Sequence, residues 1–325
     1  MPSVIMLLAV VIGFFTSACL AWGHVALTRG VENPEDIERL GLMVNSIIPY
    51  SELQAESEKG RSNTTLLPLL SLSHPTDPAV EAIRTLRTSI YFIMEEMKKN
   101  IVMISGPSPL VGKTFVSANL AVAMAQAGKK VLLIDADMRK GYMHCYFNIA
   151  LKNVGLSSVL QKKASLKDVI NSTSVEGLDF MSRGPIPETP SELLLSPLLG
   201  QMFKQLSAQY DFVIVDTPPI MAVADALIVS KLAGASFIVS RFSQNPLGEV
   251  QATMRRFESN GIKLSGAILN ASQKRALANY GYHKYAYGNY QYSYSSDKNE
   301  TEKSSDFSAK MRAKTGALLG KKNNS

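Results

Sequence analysis

Gly106-Pro107-Ser108-Pro109-Leu110-Val111-Gly112-Lys113-Thr114 lies between a short apolar run, Ile101–Ile104, and a helical pattern that stops at Gly128. A strand, a tight turn and a helix start are the setting in which backbone N–H groups and a helix N-terminus gather phosphate. Lys113 would reach the β- and γ-phosphates, and the Thr114 hydroxyl would hold Mg²⁺. Ser108, Pro109, Leu110, Val111, Gly112, Lys113, Thr114 and Phe115 are the candidate nucleotide contacts. One departure from G-x-x-x-x-G-K-[ST] is visible. The usual first glycine falls on Pro107, with Gly106 one position early.

Carboxylates follow at two later points. Asp135 and Asp137 close the apolar run that begins at Lys130, and Asp216 closes the fully apolar Phe212–Val215. In open α/β sheets ligands bind at the carboxyl edge of the strands, so all three acids converge on the phosphate loop. Mg²⁺-dependent phosphoryl transfer needs such a set, with a metal on the phosphate oxygens and a base for the attacking hydroxyl. Asp216 is the candidate Mg²⁺ ligand, Asp135 the candidate base, and Asp137 a metal or water ligand. Asn270, at the end of the last strand, is the candidate adenine contact.

A third unusual stretch carries Tyr280, Tyr282, Tyr285, Tyr287, Tyr290, Tyr292 and Tyr294, seven tyrosines in fifteen residues. Glycine, serine, asparagine and glutamine separate them, and no aliphatic core residue accompanies them. Such a segment reads as an exposed tail. Beside a phosphoryl-transfer site the phenols are candidate acceptors, each phosphate adding roughly −1.5 to −2 charge.

These groups need a scaffold. Strands alternating with helices, the strands apolar without period two, give a doubly wound, mostly parallel α/β sheet over residues 76–272. Ahead of the loop, Asp77-Pro78 opens a helix as N-cap and first helical residue. Val80, Ile83, Leu86, Ile90, Ile93 and Met97 form its apolar face. Glu81, Arg84 and Arg87 recur every three residues along one flank, either as a solvated face or as a strip for a neighbouring subunit. Residues 31–75 read as a linker, with Ser51–Thr65 a flexible tether.

From Met1 to Thr28 there is no charged residue, and Val4–Leu27 is long enough to span a bilayer as a helix. No positive residues precede it, which disfavours a cleaved signal. Arg29 on the C-terminal side directs the rest of the chain to the cytoplasm. The net charge is +7, and residues 61–296 carry 24 bases against 16 acids. That surplus suits an acidic ligand. Without polybasic runs, aromatic-basic repeats or zinc spacing, nucleic acid is not the expected partner. The two cysteines, Cys19 and Cys145, form no disulfide framework.

Together these residues resemble the bacterial tyrosine kinase family (BY-kinases), the cytoplasmic domain of polysaccharide co-polymerases. Glu81-Ala82-Ile83-Arg84-Thr85-Leu86-Arg87 resembles the family's E-x-x-R-x-x-R interface helix. Ser108–Thr114 resembles its Walker A, Val131–Arg139 its Walker A′, and Phe212–Pro219 its Walker B. The tyrosine cluster closes the set. Ser108 stands where partition and cell-division-site ATPases place a second lysine.

The resemblance implies a P-loop NTPase-like fold and an ATP- and Mg²⁺-dependent tyrosine autokinase. It implies catalytic roles for Lys113, Asp135, Asp137 and Asp216, and metal contacts from Thr114, Asp137 and Asp216. Glu81, Arg84 and Arg87 would hold a ring of subunits, one subunit's tail entering its neighbour's site. Implied partners are a tyrosine phosphatase and the capsular or exopolysaccharide polymerisation and export machinery, at the inner membrane. Residues 1–30 are similar to the second transmembrane helix of the full-length co-polymerases, whose first helix and periplasmic region have no counterpart here. Residues 273–295 form the tyrosine-rich tail, and 296–325 a polar basic extension. The alternatives are a membrane-tethered partition-type ATPase and a nucleotide-ordered scaffold.

Overall fold

The computed structural model describes residues 12–17, 19, 30–58, 67–149 and 154–273. The predicted membrane span lies mostly outside these residues, and the tyrosine cluster lies outside them entirely. Among the described residues, no helix is long and apolar enough to cross a membrane.

The chain runs through α1 (Pro34–Arg39), β1 (Val44–Pro49), α2 (Glu52–Glu58), α3 (Leu70–Ser73) and α4 (Pro78–Met97). There follow β2 (Ile101–Ser105), α5 (Lys113–Gln126), β3 (Val131–Asp135), α6 (Leu156–Leu160), α7 (Leu166–Val169), β4 (Ile170–Ser172) and β5 (Leu178–Met181). The last part holds α8 (Pro190–Leu194), α9 (Pro197–Ser207), β6 (Phe212–Asp216), α10 (Asp225–Leu232), β7 (Ala235–Arg241), α11 (Leu247–Glu258) and β8 (Gly266–Ser272). One sheet has the order β1-β8-β7-β2-β6-β3-β5-β4. Every pairing is parallel except β4 with β5.

The strands lack alternation because both faces are covered. Val102, Ile104, Leu133, Ile214 and Phe237 pack against α4 and α5. Met103, Leu132, Ile134, Val213 and Ile238 pack against α1, α9, α10 and α11. Successive residues of each strand thus enter opposite cores, and parallel sheets sandwiched by helices read as continuous apolar runs for this reason.

Two expectations are corrected. Residues 31–75 are not simply a linker, because β1 joins the sheet edge in register with β8, Val44 opposite Ala267 and Ile47 opposite Leu269. Val31, Ile37, Leu42, Ile48, Leu67, Leu69 and Leu70 are buried. The buried stripe of α4 is Val80-Ile83-Leu86-Ile90-Met94; Ile93 is half-buried against the same core, and the expected last member, Met97, falls outside it. From Ile90 a 3.6-residue period reaches Met94, and Met97 is exposed. The N-cap is as expected, with Asp77 Oδ1 accepting from Ala79 N at 2.7 Å.

Candidate active site

The loop from Gly106 to Gly112 joins the carboxyl end of β2 to the N-terminus of α5, the geometry a phosphate needs. The early glycine has a packing reason. A Cβ on Gly106 would stand 2.6 Å from the Val239 carbonyl oxygen of β7. Gly112, the N-cap of α5, has φ +94°. A Cβ there would meet Asn270 Nδ2 at 2.0 Å. Asn270 Nδ2 donates to Val111 O at 2.9 Å, and Asn270 Oδ1 accepts from Ala271 N at 2.9 Å. The role visible for Asn270 is therefore to brace the loop from β8.

A second brace comes from Asn245, which is buried. Its Nδ2 donates to Ser108 Oγ at 2.7 Å and to Glu249 Oε2 at 2.8 Å. Arg241 donates to Leu110 O at 3.3 Å. Leu110 is exposed and sits at φ +63°, a conformation uncommon for a branched residue and worth noting at a ligand loop. Pro109 is exposed, Val111 is fully buried, and the Phe115 side chain packs against the α4–α5 core.

The acids meet at this edge. Register places Asp135 of β3 directly beside Asp216 of β6, and Asp216 beside Ile104 of β2. Asp216 Oδ2 accepts from Thr114 Oγ1 at 2.8 Å and Oδ1 from Ser117 Oγ at 3.0 Å. Burial pushes the Asp216 carboxyl up to about 6, opposed by the Lys113 charge and these hydroxyls. Asp135 accepts from Asp137 N at 3.1 Å and Met143 N at 3.3 Å. Burial, with Asp216 and Asp137 nearby, raises it well above the usual carboxylate range. The Lys113 ammonium is buried, which lowers its pKa, while Asp216 and Asp137 hold it up.

Asp137 is half-buried, and its Oδ1 caps the following turn, accepting from Arg139 N at 3.1 Å and Lys140 N at 2.9 Å. That turn is anchored by Arg139, whose Nε donates to Asp225 Oδ2 at 3.3 Å and whose guanidinium donates to Ser191 Oγ at 3.0 Å. Ser191 Oγ in turn donates to Asp225. Arg183 Nε donates to Gly141 O at 2.9 Å, tying the loop after β5 to the same turn.

The donor set suits a hard cation. Thr114, Asp137 and Asp216 offer only oxygen, as Mg²⁺ requires. Among the described residues no group of three or more His, Cys, Asp and Glu forms a ready metal cage. Mg²⁺ at phosphate sites is usually held by one or two carboxylates with substrate phosphates and water.

The expected loop residues, Asp135, Asp137, Asp216 and Asn270 thus gather at one sheet edge. Glu81, Arg84 and Arg87 lie apart, on α4. Arg84 pairs with Glu81 within the helix, and Arg87 donates to Ala123 O of α5 at 3.2 Å. Ser117, Asn245, Arg241 and the Arg139–Asp225–Ser191 cluster were not anticipated. Ser117 alone had a readable signal, lying three residues beyond Thr114 and so on the same helix face.

A family model described as an AAA domain matches residues 99–261. The chain is 41% identical over 301 residues to the tyrosine-protein kinase wzc of Salmonella typhimurium, covering 91% of this chain and 41% of that protein. It is 42% identical over 285 residues to the tyrosine-protein kinase etk of Escherichia coli, covering 85% of this chain and 39% of that protein. The chain thus spans about two fifths of the length of these relatives. Among solved structures, the kinase domain of the Escherichia coli tyrosine kinase ETK aligns with TM-score 0.71 and 44% identity, over 76% of this chain and 96% of that one. The BceF tyrosine kinase domain aligns with TM-score 0.69 and 40% identity, over 74% and 98%. This chain belongs to the AAA-domain family and, within it, to the bacterial tyrosine kinases.

Proposed function

We propose that this chain is a membrane-anchored, ATP-dependent protein-tyrosine kinase that phosphorylates the Tyr280–Tyr294 cluster of a neighbouring copy. The observation that carries this reading is the juxtaposition of Asp135 and Asp216 on adjacent strands, with Asp216 hydrogen-bonded to Thr114 of the phosphate loop. Lys113 and the loop N–H groups hold the β- and γ-phosphates. Asp135, whose basicity is raised by burial, accepts the phenol proton as the tyrosine oxygen bonds to the γ-phosphorus and the bond to the ADP oxygen breaks. Mg²⁺, held by Thr114 and Asp216 with Asp137, would neutralise charge on the phosphate oxygens.

In this reading residues 1–30 anchor the chain in the inner membrane and residues from about 30 to 272 form the kinase domain. The Glu81-Arg84-Arg87 flank of α4 joins subunits into a ring. The phosphorylated tail is the substrate of a tyrosine phosphatase, and the cycle regulates capsular or exopolysaccharide polymerisation and export, as the family resemblance implies.

A mixing experiment tests transfer between copies. A Lys113→Met chain with an intact tail is incubated with an active chain whose seven tail tyrosines are phenylalanine. Phosphotyrosine on the Lys113→Met copy is expected. Release of free phosphate without phosphotyrosine would instead support the ATPase alternative.

A further inference from the structure

A groove of 680 Å³ lies between α6 and the segment leading into α8. Pro185, Ile186, Pro187 and Leu193 give it an apolar wall, with Lys163 and Glu188 contributing the charges. Ile186 is 61% exposed, so it is not a core residue. We propose that this groove is the docking site for the tyrosine-rich segment Tyr280–Tyr294. The inference rests on the kinase reading above and names the surface that selects its acceptor.

Four observations support it. First, the groove follows β5, which pairs directly and in parallel with the Asp135 strand β3, so its wall continues from the carboxyl edge of the sheet. Second, both ends of its wall are tied to the turn that follows Asp135. Arg183 donates to Gly141 O at 2.9 Å, and Arg139 to Ser191 Oγ at 3.0 Å. A chain seated in the groove is thereby held in fixed relation to Asp135.

Third, the wall is built rather than loose. Ser157 Oγ donates to Pro185 O at 2.7 Å, and Leu156 N to Ser182 O at 2.9 Å. Gly155 and Gly184 approach so closely that a Cβ on Gly155 would stand 2.3 Å from Gly184 N. Fixed prolines and an exposed isoleucine offer flat apolar faces to phenol rings at little entropic cost.

Fourth, the occupant matches in chemistry and reach. Residues 280–294 contain seven tyrosines, no aliphatic residue larger than alanine, and Lys284 as their one Lys, Arg, Asp or Glu. Glu188 provides a partner for that charge. The described chain ends just past β8, at the carboxyl edge where the site lies. Tyr294 is 21 residues beyond Gln273, a separation of up to about 70 Å when extended. β5, which leads into the groove wall, is about 24 Å from β8, five strand spacings along the sheet. The segment is therefore longer than that separation.

The test measures binding without requiring transfer. The receiver is the full chain in detergent, with its seven tail tyrosines changed to serine so that its own tail does not compete. The probe is a fluorescein-labelled peptide of residues 278–296, followed by anisotropy without ATP. Saturable binding is expected, weakened at least tenfold by Ile186→Asp. It should be unchanged by Met43→Asp, a comparably exposed position just before β1. No binding, or equal loss with both substitutions, overturns the proposal. In the mixing assay, Ile186→Asp on the active copy should raise the KM for the acceptor at least fivefold and leave the KM for ATP unchanged. A defect that appears only when Ile186→Asp is on the acceptor copy also overturns it. If the peptide binds in this way but no phosphotyrosine forms, the groove stands and the kinase reading fails.

Discussion

Gly112→Ala probes how the phosphate loop is held, and its cost separates into two parts. The first is backbone. Gly112 sits at φ +94°, where alanine costs about 1–2 kcal/mol. The second is steric. The new Cβ would stand 2.0 Å from Asn270 Nδ2 and 3.3 Å from its Cγ. Asn270 is only 5% exposed, so the amide must turn and give up its bonds to Val111 O and Ala271 N. Losing one buried and one part-buried hydrogen bond adds about 2–3 kcal/mol. The expected total is about 3–5 kcal/mol.

Gly128→Ala isolates the backbone part. Its φ is +78°, and nothing lies within 4 Å of its Cβ position, so about 1–2 kcal/mol is expected. Asn270→Ala alone should cost about 2 kcal/mol through the unpaired Val111 carbonyl. Because Gly112→Ala already expels the Asn270 amide, adding Asn270→Ala to it should cost almost nothing further. The double variant then falls about 2 kcal/mol short of additivity. Urea unfolding followed by circular dichroism measures all four. Additive costs, or Gly112→Ala no costlier than Gly128→Ala, would refute the bracing argument.

Three other predictions concern the candidate base, the α4 flank and pH. Asp135→Asn should lower phosphate transfer at least a hundredfold with nucleotide affinity within about threefold, measured by initial rates and fluorescent-ADP titration; normal turnover would show that Asp135 is not the base. Arg84→Ala with Arg87→Ala should lower both the assembled mass by light scattering and autophosphorylation, and an unchanged mass would remove the interface role of α4. The third concerns pH without nucleotide or metal. Asp216 titrates at about 6 in the fold against about 3.9 unfolded, so between those values the fold binds more protons than the unfolded chain. Its contribution to stability is full below pH 4 and is lost as pH rises past 6, on the order of 3 kcal/mol. Asp135 is shifted in the same direction. In EDTA, Asp216→Asn should flatten the decline in urea midpoint between pH 4.5 and 7.5, and an equally steep decline in that variant would contradict the burial argument.

The convergence of the candidate residues on one sheet edge was legible because local pattern encodes it. Gly-Lys-Thr after an apolar strand, and aspartates closing two apolar strands, fix one sheet edge without tertiary information. β1 was not legible. Val-Asn-Ser-Ile-Ile-Pro mixes polar residues with a proline, and its partner β8 lies more than 200 residues later. β4 is three residues, none of them buried, too short to carry a period. The braces were hidden for the same reason as β1. Asn245 reaches Ser108 across 137 positions, and Arg139 reaches Asp225 across 86. Such contacts depend on strand order, which spacing along one chain does not reveal. The shifted glycine was visible as a departure, but its cause, the Val239 carbonyl, required the neighbouring strand.

The most direct measurement is peptide mass spectrometry of the purified full chain, incubated with and without ATP and Mg²⁺, beside the Lys113→Met variant. The kinase account predicts several phosphates on the Tyr280–Tyr294 peptide of the wild-type chain and none in Lys113→Met. An unmodified tail in wild-type protein shown to bind ATP would contradict it.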